Sequence, residues 1–213
     1  MNVYVGQTRS KKLIAQLREE GFGECCQPNE YPPRRFPYML DNGAFAAWKA
    51  GRSFDSAAWL GALRRVGELP HLPRFAIAPD VVAGGQASLD LSMAWLEQLQ
   101  LARVPAYLAV QDGMVESDVL PVLRQGFAGV FVGGTLPWKL ATGAAWVEFA
   151  HAHHFPCHVG RVGTPDRVTW AAECGADSID SCLPLWSTEN MARFVRSVRD
   201  AGRQAQLFIR RSE

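Results

Sequence analysis

Three aspartates of this chain, Asp41, Asp80 and Asp180, each follow a short apolar run, and Gln111 and the pair Gly133-Gly134 stand at the ends of two more such runs. A carboxylate at the end of a rigid strand is presented to whatever binds there. Two of them are enough for glycosyl transfer, in which one attacks an anomeric carbon as nucleophile and the other handles the proton of the departing or arriving group. Asp80 and Gln111 suit a different task, because acceptors and donors fixed in a plane can read the edge of a purine. The side-chain-free pair Gly133-Gly134 lets backbone amides approach a flat ring closely. Any one of these residues alone is more simply a loop cap or a hydrogen-bonded polar group. That explanation weakens when five such positions occur together.

The most specific stretch is Gly175-Ala176-Asp177-Ser178-Ile179-Asp180-Ser181-Cys182-Leu183-Pro184. It follows a helical segment and reads as a short buried strand that delivers Asp180 to its end before a Ser-Cys-Leu-Pro turn. Asp180 is not needed as a helix cap, since Ser187 or Thr188, directly before Glu189, suits the next helix better.

The elements that must position these residues alternate along the chain. Strands are expected at residues 2–6, 38–41, 74–80, 106–111, 129–132, 156–159, 175–184 and 204–209. Helices are expected at 11–20, 56–66, 88–101, 118–125, 146–153, 165–174 and 187–201, and residues 25–37 read as a loop rich in Pro and charge. Strands separated by helices, without runs of hairpins, argue for parallel β/α units, and eight strands close a barrel. An open doubly wound sheet fits less well, because no dinucleotide fingerprint follows the first strand and the polar strand ends are spread over many strands. The expectation is an α/β fold, a compact (β/α)8 TIM barrel, as a single domain over residues 1–213. Its active site would lie at the C-terminal rim.

Composition restricts the function classes. Nearly half of the 213 residues are hydrophobic and one fifth are charged, which is the make-up of an ordinary globular protein. The net charge of +1 excludes a strongly basic tail while permitting a local basic face. No apolar run approaches membrane-spanning length and the first residues read as a strand, so a cytoplasmic protein without a membrane partner is expected. The five cysteines have no C-x-x-C spacing, which indicates neither a disulfide framework nor a structural zinc site.

Several of these segments, taken in order, carry a family resemblance. Asp41-Asn42-Gly43-Ala44-Phe45, Ala78-Pro79-Asp80, Val110-Gln111-Asp112-Gly113, the run from Gly126 to Gly134, Val162-Gly163-Thr164-Pro165-Asp166 and the stretch from Gly175 to Pro184 resemble the successive motifs of the tRNA-guanine transglycosylase superfamily. These enzymes exchange a guanine in nucleic acid for a 7-deazaguanine base. The resemblance implies Asp180 as nucleophile, Asp41 as the proton-transfer aspartate, and Asp80, Gln111, Gly133 and Gly134 as base-binding positions, with no cofactor. It also implies a nucleic acid and a 7-deazaguanine such as 7-cyano-7-deazaguanine as partners.

Departures from the pattern bear on the substrate. The zinc-binding subdomain of the tRNA enzymes has no counterpart here, Asn42 and Ala44 replace Ser and Gly, Thr135-Leu136-Pro137-Trp138-Lys139 replaces Leu-Ala-Val-Gly-Glu, and Leu185-Trp186 replaces Thr-Arg. The chain is thus most similar to the small DNA 7-deazaguanine transglycosylases of phages and bacterial modification clusters. DNA is favoured over tRNA, and the host is a bacterial or phage-infected cell with room for helper proteins that open DNA.

Other residues compete for attention. Lys139, Arg161, Arg193 and Arg196 are expected to contact nucleic acid, although a solvated helix face explains the last two equally well. Trp138 could stack on a base or simply pack its loop, and Gly84-Gly85 could be a lid or a plain turn. His151, His153, His154 and His158 suggest a metal-assisted hydrolase as the rival class. His151 to His154 fall at a helix end, however, where imidazoles complement the dipole at the bottom of a barrel, and no metal site is expected.

Overall fold

The computed structural model describes residues 1–35 and 37–211, with 204–211 described by their backbone. Parallel strands β1 (Asn2–Gly6), β2 (Gly23–Cys26), β3 (Tyr38–Leu40), β4 (Ala76–Ile77), β5 (Ala106–Val110), β6 (Gly129–Val132), β7 (Cys157–Val159) and β8 (Ser178–Ser181) follow one another around a closed barrel. The ring shuts where β1 pairs with β8, placing Tyr4 beside Asp180. Helices α1 (Lys11–Glu19), α2 (Ala44–Lys49), α3 (Ser56–Val66), α4 (Gln86–Leu101), α5 (Glu116–Leu123), α6 (Leu136–Ala152), α7 (Pro165–Glu173) and α8 (Thr188–Arg211) connect or flank the strands. This is the (β/α)8 architecture that the alternation of elements predicts.

The period-two alternation of side chains divides each strand between two cores. Val3, Val5, Leu40, Leu108, Val110, Val130, Val132 and Ile179 belong to the layer under the helices. There they meet Leu17, Trp59, Leu99 and Phe194, each worth about 2 kcal/mol or more of apolar burial. Tyr4, Cys25, Met39, Phe75, Ile77 and Ala109 form a second cluster with Tyr107 and Phe131. These alternate with the first set along the strands and fill the barrel. Asp180 lies two residues after Ser178 in β8, and both side chains take the inner parity while Ile179 takes the outer one.

Two corrections follow from the strand list. The eighth strand is not residues 204–209, which continue α8; it is Gly23–Cys26, which begins between the expected helix at 11–20 and the expected loop at 25–37 and runs into the start of that loop. Gly202 does not stop the last helix, because one interior glycine costs a helix only about 1 kcal/mol. Ser187 caps α8 as expected, its hydroxyl accepting from the Asn190 N–H at 3.1 Å.

Strand β2 also explains the loop that follows it. Glu24 and Arg35 are both fully buried, 3.5 Å apart. Arg35 donates to the Val5 carbonyl at 2.6 Å and to those of Gly6 and Gly23, while Glu24 accepts the backbone N–H groups of Arg34 and Arg35. The loop between β2 and β3 is thereby pinned across the first two strands, which sets Gln27 against the rim.

Candidate active site

The strand ends enclose a cavity of about 510 Å³ at the C-terminal rim, a size usual for a small-molecule site. Asp41 follows β3, Asp80 follows β4, Gln111 follows β5, Gly133 and Gly134 follow β6, Arg161 follows β7, and Asp180 is within β8; all of them line this cavity. The six positions assigned from sequence to chemistry and base contact are brought together.

Asp180 is set by what lies beneath it. Its Oδ1 is 3.0 Å from His158 Nε2 and accepts the Arg161 backbone N–H at 3.2 Å. The imidazole of His158 is fully buried and lies parallel to the Phe131 ring at 5.3 Å, and its Nδ1 is 2.8 Å from Ser178 Oγ. Burial holds the His158 pKa below its ordinary value against the opposing pull of Asp180. A neutral ring donates from one nitrogen only. With an ionised Asp180 as acceptor that nitrogen is Nε2, and Nδ1 accepts from the Ser178 hydroxyl. The chain of donors ends on one carboxylate oxygen, while Oδ2 has no hydrogen-bond donor among the described residues.

Asp41 is partly buried and accepts from Gln27 Nε2 and, at 3.4 Å, from the Gly43 N–H. Burial first, and then the neighbouring charge of Asp180, push its carboxyl up to about 7. That value suits a group that must both give and take a proton near neutrality.

Asp80 and Gln111 form a connected polar wall. Asn42 Nδ2 donates to Asp80 Oδ1 and to the Ala78 carbonyl, both at 2.7 Å, and Gln111 Nε2 donates to Asp80 Oδ2. Gln111 Oε1 in turn accepts the Gly134 N–H at 2.8 Å and that of Ala83 at 3.2 Å. Burial raises Asp80 to about 6, with Asn42, Arg161 and Gln111 opposing the rise. The glycine pair has a steric reason: a Cβ on Gly133 would lie 2.5 Å from Gln111 Nε2, and one on Gly134 would lie 2.5 Å from the Trp138 ring. Gly134 also has a positive φ, in the left-handed region that glycine adopts without strain. Gly84 and Gly85 form a turn whose neighbour Ala83 is tied to Gln111.

The expected nucleic-acid contacts divide. Arg161 lines the cavity, its guanidinium 3.8 Å from the Phe45 ring centroid and donating to the Gly134 carbonyl. Lys139 does not reach the surface. Helix α6 begins at Leu136, well before the expected start at Trp146, with Pro137 tolerated in its first turn. Lys139 is consequently 2% exposed with Nζ donating to the Gly160 carbonyl, and burial lowers its pKa to about 7. Arg193 and Arg196 are exposed on α8 and are not cavity residues; Arg193 pairs with Glu189. Farther along, Arg199 pairs with Glu20 at the end of α1, away from the rim.

Residues to which the sequence assigns no role also line the cavity: Phe45, Lys49, Arg167 and Cys182; Trp186, expected near the substrate from its place just beyond the strand of Asp180, lines it too, at 76% exposure. Lys49 lies four residues after Phe45 on α2, and Arg167 lies in the first turn of α7, so both signals were present once the strand ends were known to converge. Among the described residues no group of three or more His, Cys, Asp or Glu side chains is placed to hold a metal. His151 is instead 2.9 Å from Asp177 at the opposite end of the barrel, and the described residues do not fit a zinc site.

A closed parallel barrel with a carboxylate-lined pocket at its C-terminal rim is a fold class of many chemistries. No family profile matches the chain. It is similar to a queuine tRNA-ribosyltransferase of Gluconacetobacter diazotrophicus, 31% identical over 131 residues that take in 55% of this chain and 32% of that protein. The chain therefore matches less than a third of that relative's length. No helix among the described residues is long and apolar enough to cross a membrane.

Proposed function

We propose that the chain is a guanine transglycosylase of the tRNA-guanine transglycosylase superfamily, exchanging guanine in a nucleic acid for a 7-deazaguanine through a covalent intermediate on Asp180. The observation that carries this reading is the pairing of Asp180 and Asp41 in one cavity. One oxygen of Asp180 is fixed by His158 and Arg161, while burial and the Asp180 charge raise Asp41 to about 7.

In the first displacement Asp180 Oδ2 bonds to C1′ of the nucleoside as the C1′–N9 bond breaks, and guanine leaves with the electron pair and takes a proton from the Asp41 carboxyl. In the second, the incoming base returns its N9 proton to Asp41 and attacks C1′, and the bond to Asp180 breaks. Two inversions retain configuration. Asp80, Gln111 and Gly134 hold the edge of the base, and Lys49, Arg161 and Arg167 offer positive charge to the backbone. Trp186 offers a flat face to a neighbouring base.

Two substrates have support. DNA accepting 7-cyano-7-deazaguanine is supported by Leu185-Trp186 and Thr135 to Lys139, which depart from the tRNA enzymes. tRNA is supported by the similarity to the queuine tRNA-ribosyltransferase above. Incubation with labelled guanine and, separately, duplex DNA, single-stranded DNA and tRNA decides between them. Labelled DNA supports the first, label in tRNA alone overturns it, and no label in any acid overturns base exchange itself. Asp180→Asn should abolish incorporation with the fold intact by circular dichroism.

A further inference from the structure

Arg161 is unusual in three respects that meet at one place. It is a non-glycine residue of positive φ, in the left-handed region. That conformation costs an ordinary side chain about 1 kcal/mol or more. The turn aims its backbone N–H at Asp180 Oδ1 and sends its side chain across the rim to Gly134, on the strand before. The planar guanidinium ends 3.8 Å from the centroid of Phe45, which is also a cavity residue. A flat cation therefore lies on an aromatic face of the cavity and bonds a carbonyl of the polar wall, in the midst of Asp41, Asp80 and Asp180.

A purine ring bound against Asp80, Gln111 and Gly134 would use the same aromatic face and the same backbone. We propose that Arg161 gates this pocket: its guanidinium holds the stacking place on Phe45, and a flat heterocycle gains that place only by displacing it. The proposal rests on the base-exchange reading and deepens it, because it makes the affinity for a free base depend on how often the gate stands open. A stack of this kind on a partly desolvated ring, with one charge-assisted hydrogen bond, keeps the open form to about one molecule in ten or fewer. Apparent base affinity is reduced by the same factor. Lysine would keep the charge but not the planar stack, so the two contributions can be separated.

The test is calorimetric titration of guanine into the wild-type protein, Arg161→Gly and Arg161→Lys at pH 8, above the values of about 7 and about 6 to which Asp41 and Asp80 are raised in the wild type. Glycine is chosen because it accepts the left-handed backbone and keeps the N–H to Asp180. Both variants should bind guanine about 10-fold more tightly than the wild type. Unchanged or weaker binding by Arg161→Gly, with wild-type label exchange intact, overturns the gate alone. An Arg161→Lys protein that binds like the wild type assigns the effect to charge and also overturns it. If neither wild type nor Arg161→Gly binds guanine and no acid is labelled, the base-exchange reading fails and takes the gate with it.

Discussion

His158 Nε2 lies 3.0 Å from Asp180 Oδ1, and the ring that makes this contact is buried inside the barrel, parallel to Phe131. The relationship fixes which oxygen of Asp180 is available, because the neutral imidazole, oriented by Ser178, can point its single N–H only at Oδ1. His158 is thus a positioning residue, acting through Asp180. His158→Phe preserves the stacked ring and deletes both hydrogen bonds. We expect exchange to fall about 100-fold in kcat, with the KM for the free base within about twofold of wild type. A matching loss in both parameters would point to a collapsed pocket instead.

Asp41 gives a pH signature of definite sign. Its folded pKa is raised from an ordinary 3.8 to about 7, so between these values the native state holds a proton that the unfolded state has lost. Its contribution to stability is present below about pH 4 and is lost as pH rises through about 7. Thermal melts of wild type and Asp41→Asn between pH 4 and 8 should diverge, the wild type losing ground toward pH 8. Parallel curves would refute the raised value.

Lys139 behaves in the opposite sense. Burial lowers its pKa to about 7, so between there and 10.5 the unfolded chain holds the extra proton and stability rises with pH. Lys139→Met fills the same space without a charge, and we expect it to raise the melting temperature at pH 6 and to change it little at pH 10. An equal shift at both pH values would contradict a charge effect.

The Glu24 and Arg35 pair should be costly to break. Arg35→Met leaves the Glu24 carboxylate buried without its cation and frees the loop that carries Gln27. A loss of about 3–5 kcal/mol in urea denaturation is expected, with impaired exchange even under conditions where the variant is folded. A loss below about 1 kcal/mol would mean that water reaches Glu24 and the pair behaves like one at the surface.

How much of this was legible in the sequence depended on the kind of signal. The rim positions Asp41, Asp80, Gln111, Gly133, Gly134 and Asp180 could be found because each ends an apolar run of strand length, and a barrel sends all such ends to one face. Strand β2 could not, because Gly23-Glu24-Cys25-Cys26 carries a buried glutamate whose partner, Arg35, lies in the loop that follows. Charge in sequence reads as exposure until its partner is known. Lys139 misleads for a related reason: a lysine expected to precede its helix, close to two glycines, reads as solvent-facing until the first turn of α6 tucks it under Gly160. The gate at Arg161 rests on a backbone angle and a side-chain crossing that no spacing rule reveals.

One seam of the barrel has a meaning of its own. Strands β3 and β4 share the single register pair Leu40 with Ala76, and just beyond it the Asn42 side chain reaches over to the Ala78 carbonyl and to Asp80. Backbone bonds cross this seam from the Leu40 N–H to the Phe75 carbonyl and from the Arg74 N–H to the Tyr38 carbonyl, and the Asn42 side-chain amide continues them to the rim. Asp41 and Asp80 stand on either side of that link. Any change at Asn42 should be felt twice, as a slackened wall and as a carboxylate that drifts from its base, so that a screen for stability and a screen for activity would each rediscover the same residue.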